Sequence, residues 1–121
     1  MHASPLVLVV DDNDALRAVV KRALEAVQLQ VITSASAIEG LALVQQHAFR
    51  VVLTDISMPE MDGWGFCRQV RRAAPHLIIG IMTGWETPPA DLLMAHDVRF
   101  VIAKPFNVRE LQQQILTMTT L

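Results

Sequence analysis

The chain has 121 residues, of which 52% are hydrophobic, a formal net charge of −2 and one cysteine, Cys67. That length suits one domain whose core buries about two-thirds of the unfolded chain's surface, and the apolar content excludes a disordered chain. The weakly acidic balance gives no support for nucleic-acid binding by this domain. The apolar runs are strand-length rather than membrane-spanning, and a lone cysteine excludes an internal disulfide.

The first apolar run, residues 6–10, reads as a buried parallel strand closed by Asp11-Asp12. The amino terminus lacks the basic stretch of a signal peptide, so a reducing, cytoplasmic setting is expected. A first helix follows. Leu16, Val19, Val20, Ala23, Leu24 and Val27 share one face, and Arg17, Lys21, Arg22 and Glu25 the other. Residues 30–33 form a second strand, and Leu41 and Val44 mark a second helix. The third strand, 51–54, ends at Asp55. Asp62-Gly63 makes a turn that opens a third helix, with Trp64 packing at its start and Cys67 and Val70 on its buried face. Residues 77–82 form a fourth strand ending at Thr83. Pro88-Pro89 suits the first turn of a short fourth helix, marked by Leu92, Leu93 and Met94. The fifth strand, 100–103, runs into Lys104-Pro105. Asn107 and Glu110 then form a capping-box-like start to a last helix that buries Val108, Leu111, Ile115 and Met118. Strict alternation with short connections predicts an α/β doubly wound parallel sheet covered on both faces.

In such a sheet, functional groups gather outside the carboxyl ends of the strands. Asp11, Asp12 and Asp55 therefore meet at one edge, and three repelling carboxylates in a small space point to a divalent cation. Taken singly, Asp12 reads as a helix cap, Asp55 as a turn residue, Thr83 as a strand-end hydroxyl and Lys104 as a solvated lysine. Their joint order is far more specific. With Met58-Pro59-Glu60-Met61-Asp62-Gly63, the set resembles the receiver domain of two-component response regulators, over essentially the whole chain.

The resemblance implies a five-stranded (βα)5 flavodoxin-like fold with strand order 2-1-3-4-5, forming a single receiver domain over residues 1–121. It implies that Asp55 accepts a phosphoryl group from a phosphohistidine on a histidine kinase or histidine phosphotransfer domain, and that the domain then switches a downstream output protein or domain. The carboxylate would be the nucleophile and an acyl phosphate the product. Attack of an anion on an anionic phosphoryl group needs charge neutralisation, the task of a divalent cation. By resemblance that cation is Mg²⁺, ligated by Asp12, Asp55 and the main-chain carbonyl of Ser57, with Asp11 acting through a metal-bound water. Lys104 and Thr83 would meet the phosphoryl oxygens, and the Lys104–Pro105 bond would be cis. Such a site catalyses its own phosphorylation and hydrolysis, without the separate substrate of an enzyme. The fourth helix, fifth strand and fifth helix would form the partner surface, and the first helix would dock the phosphodonor. No oligomeric state follows.

The chain departs from the receiver pattern in places. Val101 stands where receivers commonly carry an aromatic switch residue, and Phe100, one place earlier, should face the opposite way. In the His96-Asp97-Val98 segment a usual glycine is replaced, and Asp97 is the residue able to take a left-handed conformation. Trp85, two residues after Thr83, reads either as a shield over the phosphoryl site that the resemblance implies or as a merely packed or solvent-exposed side chain. His2, His47, His76 and His96 lack ligand spacing and read as solvated. Other functions compete. A haloacid-dehalogenase-type phosphohydrolase needs a second aspartate where Ser57 stands, and a P-loop enzyme needs a glycine-rich loop that the chain lacks. A phosphorylation-independent interaction module and the receiver segment of a hybrid histidine kinase are the further alternatives.

Overall fold

The computed structural model describes residues 5–56, 62–84 and 87–120. Strands and helices alternate as β1 (Leu6–Val10), α1 (Asp14–Glu25), β2 (Gln30–Ser34), α2 (Ala37–Gln46), β3 (Val51–Asp55), α3 (Gly63–Ala73), β4 (Ile78–Thr83), α4 (Ala90–Ala95), β5 (Val98–Ala103) and α5 (Val108–Thr119). The strands form one parallel sheet in the order β2-β1-β3-β4-β5, the flavodoxin-like arrangement.

Side chains alternate across the sheet and divide the core into two layers. Val7, Val9, Leu53, Met82, Phe100 and Ile102 face α1 and α5, where Val20, Leu24, Leu111 and Ile115 cover them. Leu8, Val10, Val52, Ile79 and Ile81 face the other way, against Ala37 and Val44 of α2 and Phe66, Cys67 and Val70 of α3. Only Leu93 of α4 joins that layer, and only partly buried.

Asn13, Ser36, Asp62 and Asn107 cap α1, α2, α3 and α5, each accepting a hydrogen bond from a backbone N–H in the first turn. The fourth helix differs. It starts after Pro89 rather than including the proline pair, has no side-chain cap bond and buries no residue. Met94, expected to mark its inner face, is 80% exposed.

Two other expected core residues lie outside it. Val19 is 47% exposed and Val108 43%, because the apolar stripes of α1 and α5 are wider than the strip of sheet each covers. Strand limits also shift by one or two residues. Asp55 pairs with Met82 and Thr83 with Ala103, so both candidate site residues are ladder members rather than loop residues.

Phe100 is buried toward α1 and α5, while Val101 faces the α4 side, as strand alternation requires. The Phe100 ring lies directly over Gly80, its ladder partner, where an added Cβ would fall 2.1 Å from a ring carbon. A register shift between Ile79 and Gly80 accompanies this close approach. Asp97 takes the left-handed conformation, with φ 53°. Gln28 does so as well, with φ 70°, just past the end of α1. There the Gln28 and Leu29 N–H groups donate to the carbonyls of Glu25 and Leu24, a bonding pattern that normally favours glycine.

Candidate functional site

Strand β1 lies between β2 and β3, so the sheet's order reverses there and opens a crevice at the carboxyl ends of β1 and β3. Asp11 immediately follows β1, and Asp55 ends β3. Carboxylate oxygens of Asp11, Asp12 and Asp55 all lie within 4.8 Å of one another. Asp11 is fully buried, Asp55 partly so and Asp12 exposed.

Local bonding fixes this arrangement. The Asp11 N–H donates to the Ser34 carbonyl at 3.1 Å, continuing the β1–β2 ladder by one residue. The Asn13 N–H donates to Asp11 Oδ1 at 2.8 Å, while Asn13 itself caps α1. The capping reading of Asp12 is thereby removed, leaving its exposed side chain at the cluster. Beyond Asp55, Gly63 packs so closely on the chain that an added Cβ would lie 2.4 Å from Ile56 Cα. Its N–H also donates to the Ile56 carbonyl, holding the start of α3 against the end of β3.

Lys104 brings the counter-charge. Its N–H donates to the Thr83 carbonyl at 2.8 Å, which continues the β4–β5 ladder past Ala103. The Lys104–Pro105 bond is cis. Lys104 Nζ lies 3.2 Å from Asp11 Oδ2 and 3.6 Å from Asp55 Oδ2. Lys104 sets one ammonium against the three carboxylates of the cluster. Thr83 is buried at the end of the adjacent strand.

The donor set suits a hard divalent cation, since it consists of carboxylate oxygens alone. Both Asp11 oxygens already accept from protein donors, Asn13 and Lys104, so this acid is the least available for direct ligation. Ser57, the Met58–Met61 part of the loop motif, and Trp85 lie outside the described residues, as does His2.

Sequence reasoning missed Arg17, which it placed among the solvated residues of α1. Its guanidinium donates to the Asp11 main-chain oxygen at 2.7 Å and to the Asp14 carboxylate at 2.7 Å, bracing the loop that carries Asp11 and Asp12. The Asp14–Arg17 spacing of three was the available signal. His47 and His76 are exposed, as expected. His96 is not: it is half-buried, with its ring against Trp64 and its nitrogens at Leu92 and Arg68. Burial pushes the Cys67 thiol up from an ordinary value near 9 to about 12, which keeps it protonated and a poor nucleophile. No helix of the described residues is long and apolar enough to cross a membrane.

Residues 7–116 match the response regulator receiver domain. The chain belongs to that family. The receiver is 28% identical over 109 residues to the probable transcriptional regulator ycf27 of Cyanophora paradoxa, covering 90% of this chain and 46% of the relative. It is 30% identical over 121 residues to the sensor kinase CckA of Brucella abortus (strain 2308), covering 98% of this chain and 13% of that protein. Among solved structures it resembles the chemotaxis protein CheY4 of Vibrio cholerae, at 31% identity with a TM-score of 0.89, covering 96% of this receiver and 99% of that chain. The receiver therefore spans less than half the length of these curated relatives. Its place is in two-component signal transduction, where receivers act with histidine kinases and output domains.

Proposed function

We propose that residues 1–121 form a single receiver domain in which Asp55 accepts a phosphoryl group from a phosphohistidine in the presence of Mg²⁺. The observation that carries this is the convergence of three carboxylates within 4.8 Å, bridged from one side by Lys104. A bound cation would supply charge neutralisation for the phosphoryl oxygens. Asp12 and Asp55 would hold it directly with the Ser57 carbonyl, while Asp11, already engaged on both oxygens, would hold a water on it.

In the reaction an Asp55 oxygen forms a bond to phosphorus as the phosphorus–nitrogen bond to the donor imidazole breaks, and the electron pair leaves with the imidazole. Asp55 thereby becomes an acyl phosphate. Lys104, poised 3.6 Å from the same carboxylate, turns its ammonium to the new phosphoryl oxygens. Thr83, at the end of the neighbouring strand, supplies a hydroxyl donor. The domain turns over no substrate other than its own aspartyl phosphate.

The donor is a histidine kinase or a histidine phosphotransfer domain. Support for docking along α1 comes from Val19 and Val108, which stand exposed on either side of a groove with Ala26, Arg22 and Gln112. A reading as the receiver segment of a hybrid kinase, passing its phosphoryl group onward, is favoured by the likeness to CckA along almost the whole chain.

The test uses acetyl phosphate with and without Mg²⁺, followed by borohydride trapping and mass spectrometry. Label is expected at Asp55 only, dependent on the metal and lost in Asp55→Asn. Asp12→Ala should weaken Mg²⁺ binding measured by amide NMR shifts. Undiminished label in Asp55→Asn, or unchanged metal affinity in Asp12→Ala, would overturn the assignment. Onward transfer to a phosphotransfer domain, rather than accumulation on Asp55, would select the relay reading.

A further inference from the structure

Among the described residues, His96 at the carboxyl end of the fourth helix is tied to α3 by Arg68 and Trp64. The His96 N–H donates to the Leu92 carbonyl at 3.2 Å, and ring Nδ1 lies 3.0 Å from the same oxygen. A carbonyl has no proton to give, so Nδ1 carries the hydrogen and donates it. On the ring's other side, Nε2 lies 3.2 Å from the Arg68 guanidinium, reaching across from α3. A guanidinium accepts nothing, so Nε2 is the acceptor. Both bonds exist together only in the neutral ring with its hydrogen on Nδ1. Trp64 holds the ring in place from α3, with centroids 4.8 Å apart and planes tilted by 43°.

We infer that His96 is a proton-sensitive latch between α3 and α4, closed when the ring is neutral and opened when Nε2 takes a proton. Protonation turns Nε2 into a donor facing another donor and places a cation beside the Arg68 cation. The bond to Leu92 survives, since a helix carboxyl end favours positive charge. The ring therefore stays on α4, still against Trp64, while its bond to Arg68 of α3 is lost.

The other charged groups nearby do not compensate. From α3, Arg71 donates to the carbonyls of Pro75 and Leu77 and pairs with the Asp97 carboxylate at 3.2 Å, and Arg72 is exposed. His96 and Cys67 line one cavity of about 190 Å³, but the thiol there is neutral. From α4, Asp91 lies exposed in the first turn, and on β5, Arg99 is exposed. Among the described residues, no carboxylate bonds the His96 ring. The latch stands whether or not Asp55 accepts phosphate, because it is a property of the unmodified chain.

Histidine is the side chain that ordinarily changes charge between about pH 5 and 8, so the probe is acidification across that range. Imidazole nitrogen NMR on the full chain, in a Trp85→Phe background so that emission reports Trp64 alone, tests it. At pH 8 the hydrogen should be on Nδ1. On acidification the His96 titration should be matched by a change in Trp64 emission. Hydrogen exchange of the α4 amides, corrected for its intrinsic pH dependence, should rise several-fold, with β1 and β3 unaffected. Arg68→Met, which removes the partner of Nε2, should leave α4 exchange already raised at pH 8 and flatten its response to acidification. His96→Asn should abolish the pH response. A hydrogen on Nε2 at pH 8, an unchanged α4 pH response in Arg68→Met, or α4 exchange that ignores the titration would each overturn the latch.

Discussion

Strands β1 and β3 carry the acids on ends held by ladder bonds, a helix cap and a partly buried ion pair, and their residues are nearly all fully buried. Helix α4, on the β5 side of the same domain, has six residues, no buried side chain and no side-chain cap. The chemistry of the candidate site thus rests on the part of the fold with the most burial. The part that would carry a signal outward rests on half-buried contacts. Local stability follows buried apolar contact, so the two regions should open at different free energies. A rigid site and a loosely held helix can coexist because a parallel sheet joins them without forcing them to share side chains.

The widest gap between the regions is expected from leucine truncation. Leu24→Ala, on fully buried α1, should cost about 3 kcal/mol of unfolding free energy, and Leu93→Ala, on α4, about 1 kcal/mol, both read by urea denaturation. Equal costs would erase the contrast. Gly80→Ala tests the joint between the regions. Its new methyl group would collide with the Phe100 ring, and a loss of about 2 kcal/mol is expected in the same assay.

Cys67, which lies on α3 beside the end of α4, reports which of the two opens first. Its labelling by a thiol reagent at pH 8 should be slow and nearly independent of low urea concentrations, the mark of local opening at α4 rather than global unfolding. Its raised thiol value also has a sign. Unfolded chain loses this proton near pH 9 and folded chain only near 12, so Cys67 contributes stability that is complete below pH 9 and lost as pH rises to 12. Cys67→Ala should remove that share of the alkaline decline, measured against each protein's own stability at pH 8. The smallest effect belongs to the β1 side. Gln28→Gly, at a left-handed position closing α1, should stabilise by about 0.5 kcal/mol in thermal unfolding.

The sheet and the acid cluster were legible because both are written in local pattern: apolar runs of strand length, four of them ended by a candidate site residue. Strand limits were less so, since whether Asp55 or Val98 joins a ladder depends on Met82 and Ile79 in a neighbouring strand. Periodicity showed an apolar stripe on α1 but not which part the sheet would cover, so Val19 was misplaced. His96 and Arg17 escaped for a different reason. The partners of His96, Trp64 and Arg68, lie about thirty residues upstream, at a separation of 28 for Arg68, and the Arg17 contact is with a main-chain oxygen that has no sequence signature. The close packing of Gly63 and Gly80 likewise depends on backbone and ring positions that exist only once the chain has folded.

The meeting of Gly80 with Phe100 also bears on how this sequence can drift. Placing the ring at 100 rather than at 101 turns it from the α4 side into the layer beneath α1 and α5, and the ring fits there only above a residue without a side chain. The two positions therefore behave as one heritable unit. A single substitution that grows position 80 meets the ring, and one that shrinks position 100 leaves a hole. Departure from this arrangement requires two coordinated changes, one on each strand, and so a passage through a less stable intermediate.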